Sequence, residues 1–236
     1  MSPETKKKVQ IFLVAAIVLS GARAAYIFYQ RRNAEKVPEK VEKPLVADYY
    51  VTPKKLRPYD LDSAKQLTQQ PVWVKEGYRY TYYPFDKAKK RTDFEHEAGT
   101  LLPIQKLEIK DVVKDATPGS STQKQLVAAF EKDGKSYGVP VGTVTGESYQ
   151  IYADEMFYIQ DPRELYKHWP SDVWEAIEQH QVKPGMNELQ ANFAVGMGVP
   201  EQSGDGSLKT LKYANGGKPM TVSYREGKAV EIQGGT

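Results

Sequence analysis

The sequence predicts an α+β protein with an N-terminal transmembrane helix, a small β-barrel-like unit and a final unit of order α-α-β-β-β. A 21-residue apolar interval lies near the start, short strand-like runs with tight turns follow, and helix-capping signals precede the last three strand-like runs. We therefore expect a basic terminus (1–8), an anchor (9–29), a linker (30–57), a β-rich unit (58–160) and an ααβββ unit (161–236).

Composition narrows the class of protein. Of the 236 residues, 40% are hydrophobic and 27% are charged, which excludes a polytopic membrane protein and a wholly disordered chain. Cysteine is absent, so disulfides, thiolate metal sites and a lipid anchor on cysteine are excluded. Residues 1–43 hold nine basic and four acidic side chains, a formal charge of +5, and the remainder carries −2. A near-neutral body argues against a nucleic-acid partner.

The anchor is predicted over Val9–Tyr29, between Lys6–Lys8 and Arg31–Arg32. At 1.5 Å per residue this interval spans about 30 Å, the thickness of the hydrocarbon core. A short basic terminus before a large body favours a single-pass inner-membrane protein with its body on the periplasmic side. The side chains expected at the membrane interface are Arg23, Tyr26, Tyr29, Arg31 and Arg32.

Two alternatives to an uncleaved anchor remain open. Ala22-Arg23-Ala24 has the small-x-small pattern of a signal-peptide cleavage site. The apolar run resumes at Ala24 and continues to Tyr29, which favours retention of the segment. The other alternative is a helix buried in a soluble protein.

The linker is rich in Lys and Glu and contains Pro38, Pro44 and Pro53, a composition typical of a semi-extended tether. Within it, Val46–Val51 is an apolar island. We expect this island to form a strand of the body, and the alternative is a docking peptide.

The β-rich unit is predicted from runs of apolar residues broken by turn residues. A short helix is expected over Asp62–Gln69, and Val72–Val74 with Tyr78–Tyr83 predict a hairpin around Gly77. Asp133-Gly134 predicts a second hairpin. Further strands are expected within Leu101–Val113, Leu126–Phe130, Tyr137–Val144 and Ser148–Ile159. Short strands with tight turns favour a small roll or barrel of SH3-like type.

Helix-capping signals open the last unit. Asp161, with Pro162 at the first helical position and Glu164 three residues on, predicts a capping box at one helix start, and Ser171 predicts the cap of a second helix over residues 172–180. Asn187 with Gln190 predicts another capping box, which starts a third helix. In that helix the buried stripe is expected to hold Leu189, Phe193 and Met197, and the helix is expected to end at Gly196–Pro200. Strands are expected over Leu208–Tyr213, Met220–Tyr224 and Ala229–Ile232.

About residues 170–233 resemble the SmpA/OmlA (BamE-like) domain family. Gly185-Met186-Asn187 is similar to the "G-M-T" of its signature, and Gly198-Val199-Pro200 to its "L-G-x-P". The family's "W-x-Y … V-x-F … G-K-V" ending is similar to three later stretches of this chain: the strand from Leu211, the strand from Met220 and Gly227–Val230. The resemblance implies a protein-binding module of the cell envelope. This chain differs in lacking the lipidated cysteine and in carrying a β-rich unit.

We predict no catalytic, cofactor-binding or metal-binding residues and no small-molecule substrate. Glu95-His96-Glu97 is interpreted as a solvated turn, because neighbours on a strand point to opposite faces. An S-x-x-K motif starts at Ser121 and lacks its usual partners. Tyr is enriched at protein interfaces. The candidate protein-binding residues are Tyr49, Tyr50, Trp73, Tyr78, Tyr80 and Tyr82, the last three on one strand face.

The sequence therefore predicts a non-enzymatic, membrane-anchored envelope protein. Its partners would be the lipid bilayer and protein subunits of a membrane complex, in which it acts as scaffold or accessory subunit. The alternative is a secreted or periplasmic module that binds cell-wall polymer after signal cleavage. A hydrolase that uses His96 or Ser121 is a third hypothesis.

Overall fold

Residues 3–33, 47–201 and 207–235 are described by the computed structural model, with the backbone alone at Asn33 and Tyr49. Residues 34–46 of the tether predicted over 30–57 thus lie outside the described residues. The chain divides into two compact units, one up to Leu45 and a body from Val46 onwards. In the N-terminal unit, one helix runs over Pro3–Asn33 (α1) and is long and apolar enough to cross a membrane.

The body contains short helices and many strands. Its α-helices within the described ranges run over Leu61–Ala64 (α2), Ala153–Met156 (α3), Pro162–Leu165 (α4), Ser171–Glu178 (α5) and Glu188–Val195 (α6). Turns of 3₁₀-helix cover Ala47–Tyr50, Lys65–Gln69 and Asn215–Gly217. The strands run over Val72–Val74 (β1), Thr81–Asp86 (β2), Arg91–Thr92 (β3), Gly99–Thr100 (β4), Lys106–Leu107 (β5), Ile109–Ala116 (β6), Gln123–Lys132 (β7), Lys135–Thr145 (β8), Ser148–Ile151 (β9), Phe157–Tyr158 (β10), Gly198–Glu201 (β11), Lys209–Tyr213 (β12), Met220–Arg225 (β13) and Lys228–Gly234 (β14).

The largest sheet is antiparallel and is built around the β7–β8 hairpin. Its order is β3-β2-β8-β7-β6, with β4 also on β2 and β9 also on β8. The predicted turn at Asp133-Gly134 is confirmed, and both residues have positive φ (52° and 74°). Consecutive left-handed residues match the twist of the strands that they join, which is why Asp-Gly favours a two-residue hairpin.

The two ends of this sheet order meet at one buried carboxylate. Asp115 lies on β6, and its side chain is 1% exposed. It accepts a hydrogen bond from Thr92 N and forms an ion pair with Arg91 Nε at 2.9 Å, and both residues lie on β3. Since β3 and β6 are opposite ends of the strand order, these contacts require the sheet to curl. The mixed α+β class and a curled antiparallel sheet agree with the prediction.

The predicted hairpin around Gly77 is wrong. β1 pairs instead with β10 and β5, each distant in sequence. A Cβ on Gly77 would lie 2.1 Å from the backbone nitrogen of Pro103, and Tyr78 adopts a φ of 63°. The chain therefore turns away after β1 rather than folding back on it. Tyr78, Tyr80 and Tyr82 consequently do not share one strand face, because β2 begins only at Thr81.

The C-terminal sheet has four strands rather than three, in the order β11-β12-β13-β14. The additional strand β11 covers the segment that was expected only to end a helix. A Cβ on Gly198 would lie 2.7 Å from Cζ of Tyr213, so glycine allows β11 to approach that ring. The three predicted strands are present as β12, β13 and β14.

Four local expectations are also wrong. Residues 47–50 of the apolar island form a 3₁₀-helix rather than a strand. Met197 lies beyond the end of α6 and is 51% exposed, because Gly196 with φ 85° ends the helix first. Ser171 is the first residue of α5, whose N-cap is Pro170. The capping box of Asn187 and Gln190 is confirmed, whereas Asp161 accepts from Arg163 N rather than forming a box with Glu164.

Two hydrophobic cores share the short strand β1. Val72 and Val74 are buried in a core formed with α2, β6, β7 and β8. Trp73 packs against the second core, which contains α5, α6 and the C-terminal sheet. Alternate residues of a strand point to opposite faces, so three residues connect both cores.

We expect Asp115→Ala to lower the free energy of unfolding by about 1–3 kcal/mol, because it leaves Thr92 N without its acceptor in a buried place. The matched control is Asp111→Ala on the same strand. Asp111 pairs with Lys90 at 2.8 Å but is 34% exposed, and we expect a change below about 1 kcal/mol. Urea unfolding of both variants measures the difference. Equal losses of unfolding free energy in the two variants would show that Asp115 does not stabilise the curled sheet.

Candidate functional site

All three tryptophans of the chain line one trough on the body. The trough consists of two adjoining depressions of about 310 and 400 Å³, which share Arg163, Trp174 and Glu178. Trp73 lines the first and Trp169 the second. The first is also lined by Leu102, Pro103, Ile104, Gln105, Asp161, Ile177 and His180, and the second by Lys167, Ser171 and Glu175.

Each tryptophan is placed by the element that carries it. Trp73 is the middle residue of β1, whose neighbours face the first core. Trp174 and Ile177 stand one helical turn apart on α5 and so lie on one face of that helix. Trp169 precedes α5 and packs on Phe193 of α6, with ring centroids 5.3 Å apart. The trough thus joins the β-rich part of the body to the helices that follow it.

Cations lie over two of the indole rings. Lys106 Nζ is 5.8 Å from the centroid of Trp73, and Arg163 Cζ is 5.5 Å from that of Trp174. Arg163 also pairs with Glu178 across the shared part of the trough. Basic and acidic side chains are thus both present in and around the trough.

Residues at the edge of the first depression have positive backbone φ angles. Ile104 and His180 line the first depression with φ of 55° and 54°. Tyr78, with φ 63°, packs edge-on against His180 at 6.3 Å. A positive φ is a true outlier for a β-branched residue, and such strain clusters at functional sites. Ile104 is held by its N–H, which donates to Val74 O at 3.0 Å.

Asp48, at the start of the body, forms hydrogen bonds with residues beside the trough. Its Oδ1 accepts from Trp169 Nε1 at 2.6 Å and lies 2.5 Å from His168 Nε2. Its Oδ2 accepts from Asn187 Nδ2 at 2.8 Å, and Asn187 is the N-cap of α6. Burial opposes ionisation, but the hydrogen bonds from Trp169, His168 and Asn187 outweigh it, so the pKa of Asp48 lies below its ordinary 3.8.

The predicted protein-binding residues are dispersed in the structure. Trp73 lines the trough, and Tyr78 is half-buried behind its rim. Tyr80 packs against the first core, and burial raises its pKa to about 12. Tyr82 is a correction: it is 6% exposed, packs on Phe130 inside that core and lines neither depression of the trough.

The remaining predicted residues lie elsewhere. Tyr50 is exposed on its 3₁₀-helix, and the side chain of Tyr49 lies outside the described part of the chain. All the predicted membrane-interface residues lie exposed on α1: Arg23, Tyr26, Tyr29, Arg31 and Arg32. A signal sequence is also compatible with the length and apolar character of α1.

Sequence reasoning missed Asp48, Arg163, Trp169 and Trp174 as site residues. The available signal was the chain's small number of tryptophans, but nothing local relates position 73 to positions a hundred residues later. His96 pairs with Asp93 at 2.9 Å in an exposed turn. Among the residues with described coordinates, no cluster of three or more His, Asp or Glu side chains is arranged to hold a metal ion.

No protein-family model, curated protein or solved structure matches the chain. The SmpA/OmlA-like and SH3-like assignments therefore stay predictions. The trough is the candidate site on the basis of its geometry alone.

We expect Asp48→Asn to lower the free energy of unfolding by about 1–3 kcal/mol at pH 7, because the neutral amide accepts the three hydrogen bonds poorly. Since the folded-state pKa is depressed, this advantage of the wild type is complete above the unfolded pKa of 3.8. It is lost as the pH falls below that value and through the folded pKa.

Urea unfolding of wild type and variant at pH 7 and at several values below pH 4 measures this difference. Asp62→Asn, which removes an exposed pair with Lys65, is the control. A difference that stays constant with pH would show that the charge of Asp48 contributes nothing.

Proposed function

We propose that the protein is a single-pass envelope protein whose body binds protein partners, as scaffold or accessory subunit of a membrane complex. The observation that carries the proposal is the gathering of all three tryptophans, with Arg163, in one trough. Trp, Tyr and Arg are the residue types most enriched among the energetic hot spots of protein interfaces.

The character of the trough supports a macromolecular partner. Its two depressions run together, so an extended chain fits the trough better than a compact molecule. The aromatic rings that line it are packed on one another, with Trp169 and Trp174 centroids 5.3 Å apart. Rings already fixed in place lose little conformational freedom when a partner binds.

The properties of helix α1 support its assignment as a membrane anchor. It carries a basic N-terminal flank, an apolar middle and Arg31–Arg32 at its end, and none of its apolar window is buried. We place it across the inner membrane with the body on the periplasmic side. The resemblance of residues 170–233 to an envelope domain family agrees with this location, and α1 would take the place of that family's lipid anchor.

A photo-crosslinking amino acid at Lys167, on the second depression, is expected to give a discrete protein adduct in native membranes. The same amino acid at Lys114 on β6, which lines neither depression, is the control. Adding Trp73→Ala is expected to reduce the Lys167 adduct about fivefold or more, as at a hot spot. An adduct at both positions, or none at Lys167, would count against the proposed function.

The full-length chain is expected to stay in the membrane fraction after alkaline carbonate washing, because α1 crosses the bilayer. N-terminal sequencing of the extracted protein is expected to read the residues before Val9. A mature chain that begins after Ala24 and washes free would instead favour the released, cell-wall-binding module.

A further inference from the structure

We infer that Arg23 of α1 forms an ion pair within the bilayer with an acidic side chain on a transmembrane helix of the partner complex. This inference rests on the proposed function, since it gives the anchor a second role as a contact with a subunit of that complex. It follows from the depth of Arg23 in the helix, from the lack of an acidic neighbour on α1 and from the small side chains around Arg23.

Arg23 lies well inside the part of α1 that would cross the membrane. About 20 residues are needed to cross the hydrocarbon core, and the lysines that end at Lys8 limit the span on one side. A span that begins at Val9 therefore extends to about Phe28. At 1.5 Å per residue, the backbone of Arg23 is about 8 Å inside that end. Of the side chains predicted at the membrane interface, Arg23 is the deepest.

No side chain of α1 supplies the opposite charge. The single acidic residue of the helix is Glu4, about 28 Å away along the helix axis. Among the residues that the structure describes, none forms an ion pair with Arg23. Arginine cannot enter hydrocarbon as a neutral group, because its guanidinium stays charged. Since charged groups in a membrane are usually paired with one another, the negative charge has to come from outside α1.

The neighbours of Arg23 favour a protein helix as the source of that charge. Apart from Arg23, all residues from Ser20 to Ala25 are Ser, Gly or Ala. Small residues let the backbones of two membrane helices approach closely, and a Cβ on Gly21 would meet no atom within 4 Å. A carboxylate on a helix packed here lies at the depth of the guanidinium, whereas lipid phosphates lie at the membrane surface.

The partner helix is therefore expected to carry Asp or Glu at the level of Arg23. A guanidinium binds both oxygens of a carboxylate through parallel hydrogen bonds, which adds geometric specificity to the charge. A second copy of this chain, inserted in the same direction, does not fit, because it would place two arginines in the same apolar layer.

The test is photo-crosslinking within the bilayer, with the full chain in native membranes. A photoreactive amino acid at Ile27 lies one helical turn after Arg23 on the same face of α1. The control position is Ala25, which has a similar depth but is two residues from Arg23 and so faces away from it. We expect Ile27 to give a discrete adduct, at least fivefold stronger than that of Ala25, with a transmembrane helix that contains Asp or Glu.

Substitutions of Arg23 test whether the contact depends on charge. Arg23→Leu makes α1 more apolar, so the chain should stay in the membrane after alkaline carbonate washing. We expect it to reduce the Ile27 adduct at least fivefold, because the partner's carboxylate is left unpaired. Arg23→Lys keeps the charge, and we expect its adduct to stay within about twofold of wild type. Arg31→Leu, beyond the apolar interval, is the matched control and should also stay within about twofold.

An exchange of charges tests the pair directly once the adduct is identified. Arg23→Glu is expected to abolish the Ile27 adduct, because it brings two carboxylates together. Replacing the partner's carboxylate by arginine in the same cells is expected to restore the adduct. Failure of the exchange, in variants that carbonate washing shows to be membrane-inserted, would overturn the inference.

Other outcomes also decide against the inference. An Ile27 adduct that Arg23→Leu leaves unchanged would overturn it, as would an adduct between two copies of the chain. An adduct with lipid alone would assign Arg23 to the headgroup phosphates. If Lys167 gives its adduct while Ile27 gives none, the inference fails and the proposed function stands. If neither position gives an adduct, the proposed function fails as well.

Discussion

The alternation of side chains along one three-residue strand determines how the body is assembled. Val72 and Val74 enter the first core, and Trp73 faces the second. On the paired strand β10, Phe157 and Tyr158 divide between the same two cores. Because neighbouring strand residues must point to opposite faces, a shift of β1 by one residue would turn Trp73 towards the first core and Val72 and Val74 towards the second. The trough lies at this junction, so its geometry depends on that register.

Asp48 imposes a second constraint at the other side of the trough. Its carboxylate contacts the segment before α5 and the N-cap of α6, which are far apart in sequence from it and from each other. A charged acceptor shared by several donors is stronger than the same number of neutral contacts. It also fixes the orientation of the Trp169 ring. Because Trp174 and Phe193 both pack against that ring, their arrangement depends on the same contact.

Local signals predicted local structure well. Asp133-Gly134 gave the β7–β8 hairpin and Asn187 with Gln190 gave the start of α6, because turns and caps depend on neighbouring residues. Pairing of β1 with β10 depends instead on residues more than eighty positions apart, and no turn signal reports such a contact. For the same reason the sequence did not predict the trough, because its tryptophans come from two distant stretches of the chain. The emphasis on tyrosine was wrong at Tyr82 because its strand face turned inwards, which alternation alone does not decide.

The placement of every tryptophan in a single trough has an optical consequence. The ultraviolet emission of this protein is dominated by three indoles, and all of them line the same trough. The rest of the body, with its many tyrosines, contributes mainly as an energy donor. A change in emission of the folded protein therefore reports an event at that surface or at the Asp48 contact behind it, without any attached dye.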